Sequence, residues 1–191
     1  MFQVVSASDV TINFECNQIR GDIHGFAEIN AGPLPNHDVI EGVDLSSQYQ
    51  DLGIDFVRTH DFSGPTDISE MFPDFSEDPL QESSYNFTKT DAYFTAIIDT
   101  GSRVFFRMGE SASVEERLRQ PPVDYEKWAE VCKHVLMHYN DGWADGYFYN
   151  ISYVEIWNEP DLKGFFNGTA QDYYQLYETT ANTLKSYDSD L

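Results

Sequence analysis

The stretch "VEIWNEPDLKGFF", residues 154–166, opens like a buried strand and closes on Asn158-Glu159-Pro160-Asp161. Sheet interiors disfavour an amide beside an ionisable carboxyl, and Pro160 removes the donor that a further ladder bond needs. A carboxyl held at the end of an apolar strand is suited to moving a proton. Protonated, it gives one to a departing atom; ionised, it takes one from water. Work of that kind calls for a second carboxylate, so the rest of the chain has to be searched for a partner. Arg58 and His60 end the strand-like run "IDFVRTH" (54–60), and Glu110 follows "RVFFRMG" (103–109). Period-two alternation puts Ile54, Phe56, Arg58 and His60 on one face of their strand. The same rule puts Tyr153, Glu155, Trp157 and Glu159 on one face, with Val154 and Ile156 on the other.

The elements that must carry these residues alternate along the chain. A weak strand is predicted at 23–30, then a turn-rich "AGPLPN" and a helix within 43–53, with Leu45, Tyr49 and Leu52 in register and Gly53 as its stop. After the strand at 54–60 comes a long connection, 61–89, of the kind that carries function or lacks order. A helix over 88–101 has a Thr88/Asp91 capping-box pattern and Gly101 as its stop, and a strand follows at 103–109. The strongest helical pattern spans 124–140. Asp124 is its cap, and Tyr125, Trp128, Val131, Cys132, Val135, Leu136 and Tyr139 form its apolar stripe. A strand at 151–157 and a helix at 169–187, with a Thr169/Asp172 box, complete the pattern. Strand then helix, four times over, implies parallel strands joined by right-handed crossovers. An eight-unit barrel takes about 250 residues, whereas this chain has 191. An open nucleotide-binding sheet would fit that length, but no glycine-rich turn follows the first strand.

Composition narrows the partners. With 11 Lys+Arg against 33 Asp+Glu the net charge is −22, which repels phosphate backbones and anionic lipid heads. Nucleic acid and membrane surfaces are therefore not expected as partners, and a neutral small ligand is easier to reconcile with the field. The opening "MFQVVSASDVTINFE" lacks a basic and then continuously apolar start, so no export signal is visible. The compartment stays open, with the cytoplasm favoured. Cys16 and Cys132 read as two buried thiols rather than a disulfide, and neither has ligand spacing. Asp55, Asp74 and Asp78 show no ordered spacing, so neither metal nor cofactor is expected.

"IWNEPD" resembles the acid/base motif of retaining (β/α)8-barrel glycoside hydrolases. "DLGIDFVRTHDF", "FFRMGES", "YEKWAEVCKHVLMHYNDGWADG" and "YVEIWNEPDLKGFFNGTAQDYYQLY" are similar, in order, to blocks of the family 39 group, whose members are β-xylosidase-like and α-L-iduronidase-like. The resemblance covers roughly residues 43–187. It implies an α/β fold of the (β/α)8 type, with residues 1–191 as the N-terminal half of one catalytic barrel, about four βα units. It also implies a carbohydrate substrate, with xylosides favoured. Residue by residue, Glu159 matches the general acid/base at the end of the fourth strand and Asn158 the amide that binds the sugar 2-hydroxyl. Arg58 matches a cation that orders the catalytic carboxylates, and His60 a rim contact to the sugar. Simple alternation turns Asn158 away from the lumen, so this match requires a local twist or bulge. The nucleophilic carboxylate of a retaining enzyme stands about 5–5.5 Å from the acid. In this clan it ends the seventh strand, which places it beyond residue 191.

Plainer roles stand beside these. Arg58 serves equally as a structural cation paired with Glu155. Glu110 reads first as a solvated loop acid. Trp143 and Trp157 read first as core rings rather than sugar platforms. A non-catalytic carbohydrate-binding half-barrel is the alternative to a glycosidase.

Overall fold

The structure is a computed structural model that describes residues 27–33, 43–60, 64–111 and 115–191. Cys16, residues 23–26 of the predicted first strand and the N-terminal stretch read for an export signal lie outside the described residues. Parallel strands β1 (Glu28–Asn30), β2 (Phe56–Arg58), β3 (Arg103–Met108) and β4 (Tyr153–Ile156) pair in chain order. Helices α1 (Ser46–Leu52), α2 (Ile68–Met71), α3 (Thr88–Asp99), α4 (Tyr125–Asp141) and α5 (Ala170–Tyr187) fill the connections. The register sets Asn30 opposite Arg58, Arg58 opposite Phe105, and Arg107 opposite Glu155. Asn30, Arg58, Phe105 and Tyr153 thus fall in one row across all four strands, with Arg107 and Glu155 one step further along the same face.

One face of the sheet is apolar. Val57, Val104, Phe106, Met108 and Ile156 are buried there with Phe94 and Ile97 of α3, the stripe of α4, and Leu176 and Leu184 of α5. The α4 stripe forms as its spacing requires: Trp128, Val131, Cys132, Val135, Leu136 and Tyr139 are all buried. Asp124 caps the helix through Lys127 N at 2.9 Å. Cys132 is a free thiol whose pKa burial pushes up. On the opposite face Phe56 meets Tyr153 edge-on at 5.1 Å, and Arg103 lies over the Phe56 ring. Tyr153 remains about half exposed.

Three expectations are corrected. The Thr169/Asp172 capping box forms, but the Thr88/Asp91 pattern does not. Phe87 takes the cap position of α3, and Asn86 Oδ1 accepts from Thr88 N instead. Asp91 is drawn away because buried His138 and Tyr139 both hydrogen-bond to its Oδ1 at 3.0 Å. Helix α1 begins at Ser46 and buries only Tyr49; Leu45 and Leu52 of its predicted stripe stay exposed. The connection 61–89 is ordered where described. It holds α2, a 3-10 turn at Glu82–Ser84, and a ring cluster in which Tyr85 stacks on Phe87 at 5.4 Å. Trp143 joins that cluster edge-on to Tyr85 at 5.1 Å. Among the described residues no helix is long and apolar enough to cross a membrane.

Candidate active site

This face of the sheet is polar where Arg58 of β2 reaches across β3 to Glu155 of β4. Arg58 sends Nε to Glu155 Oε2 at 2.6 Å and Nη2 to Glu155 Oε1 at 2.8 Å, a two-pronged ion pair. Nη2 also donates to Asn158 Oδ1 at 2.7 Å, and Nη1 donates to Asn30 Oδ1 at 2.8 Å. Asn158 is 3% exposed. Its Nδ2 then points at Glu159 Oε2, 3.4 Å away. Because the Oδ1 end is taken by a cation, the amide has one sense: it meets any ligand as a donor.

This arrangement depends on a break in strand geometry. Trp157 N still extends the ladder, donating to Met108 O at 2.6 Å, but Trp157 has φ +69° and Glu159 φ +40°. For an L-residue a left-handed conformation costs about 1–2 kcal/mol. Its effect here is to exchange the two sides of the chain. Trp157, expected beside Glu155, is instead 2% exposed in the core, with Nε1 bonded to Phe165 O at 3.0 Å and Phe166 edge-on at 5.2 Å. Asn158, which alternation turned away, joins Arg58. The neighbouring strand makes room: at Gly109 (φ +138°) a Cβ would lie 3.0 Å from Trp157 Cα. The required twist is therefore a left-handed Trp157 passing over a glycine.

Among the predicted site residues, Arg58, Asn158 and Glu159 come together. His60 is half-buried at the end of β2, where its ring lies 6.2 Å from Phe165. Glu159 is exposed. Its carboxyl still lies within reach of the Asn158 amide, with Oε2 3.4 Å from Nδ2. Asn30, which had no role in the sequence reading, is the third partner of the cation. A 410 Å³ cavity lined by Ile29, Phe56, Arg58, Phe105 and Tyr153 lies lower on the same face and does not include Glu159.

Glu110 is not a solvated loop acid. It is 6% exposed, and its carboxyl accepts from Ser69 N at 3.0 Å and Ser69 Oγ at 2.6 Å. Beside it Asp67, also buried, takes Arg107 Nη2 at 3.0 Å and Ser111 N at 2.8 Å. Arg107 is fully buried. The only hint in the sequence was an Arg and a Glu flanking "MG" at the end of an apolar strand. Desolvation and then the Asp67 charge push the Glu110 pKa from 4.5 up to about 8. Between those values the folded protein keeps a proton that the unfolded chain has released. The contribution of this group to stability is therefore full below pH 4.5 and is lost as pH rises toward 8. Calorimetry should show the thermal midpoint dropping across that window in the wild type, with a shallower drop in Glu110→Gln. An equal drop in both proteins would contradict the buried-acid account.

Among the described residues no three His, Cys, Asp or Glu side chains are grouped to hold a metal ion.

A family model described as "Glycosyl hydrolases family 39" matches residues 30–191. The chain is 28% identical to a beta-xylosidase of Caldicellulosiruptor saccharolyticus over 159 residues, covering 74% of this chain and 30% of the relative. It is 28% identical to a beta-xylosidase of Geobacillus stearothermophilus over 174 residues, covering 78% of this chain and 33% of that protein. It thus spans about a third of the length of these curated relatives. The crystal structure of a glucosidase from Croceicoccus marinus superposes with a TM-score of 0.76 at 26% identity, over 86% of this chain and 35% of that one. The GH39 enzyme from Xanthomonas axonopodis pv. citri gives 0.57 at 25% identity, over 77% and 30%. The four strand–helix units are those of a (β/α)8-type barrel.

Proposed function

Because the chain belongs to glycosyl hydrolases family 39, we propose that the protein it represents hydrolyses glycosidic bonds with retention, on xyloside-like substrates, with Glu159 as general acid/base. Residues 1–191 are read as the N-terminal part of its single catalytic barrel, and the nucleophilic carboxylate as the contribution of a segment beyond residue 191. The observation that carries the reading is the fixed sense of Asn158. Arg58 holds Oδ1 at 2.7 Å, which leaves Nδ2 free to donate beside Glu159.

In the first step the nucleophilic carboxylate attacks the anomeric carbon. Glu159 gives its proton to the glycosidic oxygen as that bond breaks, and the leaving alcohol departs neutral. In the second step Glu159, now ionised, takes a proton from water, which attacks the glycosyl ester and restores both carboxyl groups. Asn158 Nδ2 donates to a ring hydroxyl oxygen near the breaking bond, and Arg58 keeps the amide from rotating. Exposure of Glu159 suits a group that must meet first an alcohol and then water. His60, with Phe165 against it, borders the same rim.

The test is hydrolysis of aryl β-xylosides by the full-length protein, with the anomer of the first-formed sugar followed by NMR. Release of β-xylose before mutarotation is expected. Saturable binding of xylo-oligosaccharides with no turnover would replace this reading with a carbohydrate-binding one, and release of the inverted anomer would refute retention.

A further inference from the structure

Glu155 has no part in the proton transfers above, yet both of its oxygens are committed to Arg58, at 2.6 and 2.8 Å. Arg107 lies opposite it by register and Arg58 reaches it from β2, and the two cations take separate acids. Arg107 pairs with Asp67 and Arg58 with Glu155. The Arg58–Glu155 pair is partly shielded, with the side chains 25% and 30% exposed, and Asn158 on its upper side is buried. A guanidinium gripped at Nε and Nη2 has no freedom to rotate about its last bonds. Its second Nη2 hydrogen is thereby aimed at Asn158 Oδ1, and Nδ2 at Glu159. The chain of contacts runs Glu155, Arg58, Asn158, Glu159, and only Glu155 anchors its far end with a charge.

We propose that Glu155 is the positioning residue of the site: its carboxylate locks the Arg58 fork, which sets the donor sense of Asn158, and it neutralises a cation that would otherwise act on Glu159. The inference rests on the assignment of Glu159 as the acid/base. It makes two separable claims, one about geometry and one about charge. Glu155→Gln keeps the size and one acceptor but leaves Arg58 with an uncompensated charge close to Glu159. A nearby cation favours the carboxylate form of an acid. The free enzyme needs Glu159 protonated, so the basic limb of kcat/KM moves to lower pH, by about 0.5–1 pH unit. Arg58→Lys keeps the charge but replaces a planar fork with a point donor, so activity falls while the limb stays in place. Glu155→Ala removes both the grip and the charge. Its kcat/KM drops by about 10- to 100-fold, as for other supporting groups.

The experiment is the pH profile of kcat/KM for the full-length wild type, Glu155→Gln and Arg58→Lys, on one β-xyloside with a weakly acidic leaving group, whose departure needs the proton of Glu159. A wild type that does not hydrolyse it defeats the glycosidase assignment. An active wild type whose Glu155→Gln variant keeps both rate and limb, within twofold and 0.2 unit, roughly the error of such profiles, defeats the positioning role alone. A merely structural Glu155 would lower the thermal midpoint of Glu155→Gln and leave its basic limb unmoved, which also overturns the proposal.

Discussion

Glu159→Gln should divide substrates by their leaving group. The amide keeps the shape of the acid and can still receive a hydrogen bond, but it has no proton to give. On xylosides with alkyl or sugar leaving groups, kcat/KM should fall about 10²- to 10⁴-fold, the usual contribution of a positioned acid, or about 2.7–5.5 kcal/mol of barrier. On an aryl xyloside whose phenol is already a strong acid, kcat/KM should change little, because bond breaking there needs no proton. The second half-reaction does need a base, so on the activated substrate kcat should fall while kcat/KM holds. Azide, which attacks without losing a proton, should then restore turnover. The measurement is a series of aryl xylosides of graded phenol acidity, with wild type and variant compared in one plot. Parallel lines, with the same loss at every leaving group, would remove Glu159 from the acid role.

Gly109→Ala is the substitution that strikes directly at the turn carrying Trp157 and Asn158. At φ +138° an L-residue is strained whatever the space, and here a Cβ would press on Trp157 Cα at 3.0 Å, a backbone atom that cannot swing aside. Strain and overpacking together predict a loss of about 2–5 kcal/mol. The control is Gly101→Ala, where φ is +84° but nothing lies within 4 Å, so only the backbone term of about 1–2 kcal/mol applies. Denaturant titration of the two variants should separate them clearly. If the Gly109 variant folds, relief comes by moving Trp157, and Asn158 moves with it, so activity should fall further than stability alone explains. Equal stability for the two variants would show that the passage of Trp157 over Gly109 is not tight.

Where a local rule met a local cause, the sequence was readable. Tyr153, Val154, Glu155 and Ile156 alternate as their positions predict, and the 124–140 stripe with its Asp124 cap folds as spacing alone requires. The rule failed one residue later, because period two assumes an extended backbone and Trp157 is left-handed. The cause lies on another strand, at Gly109, 48 positions away by subtraction of the residue numbers. The two capping-box patterns make the same point. Thr169-x-x-Asp172 closes through Oδ2, leaving Oδ1 a long 3.4 Å contact from Tyr125, whereas Asp91 is claimed by α4. Glu110 was misread for a related reason: its burial is made by Asp67 and Ser69, which arrive from the preceding connection. Glu159 and Asn158 were identifiable by motif, but the partner that fixes the amide's sense became visible only when β2 and β4 were placed.

Arg58 joins partners drawn from 28, 97 and 100 residues away along the chain. Contacts of such long separation are favourable only after the intervening loops have closed. During synthesis the first three strand–helix units can be complete while the cation still lacks its principal acid. The Arg58 network is thus absent from a nascent chain until residues 155–158 have emerged and docked, so its formation reports on the order in which the sheet is assembled.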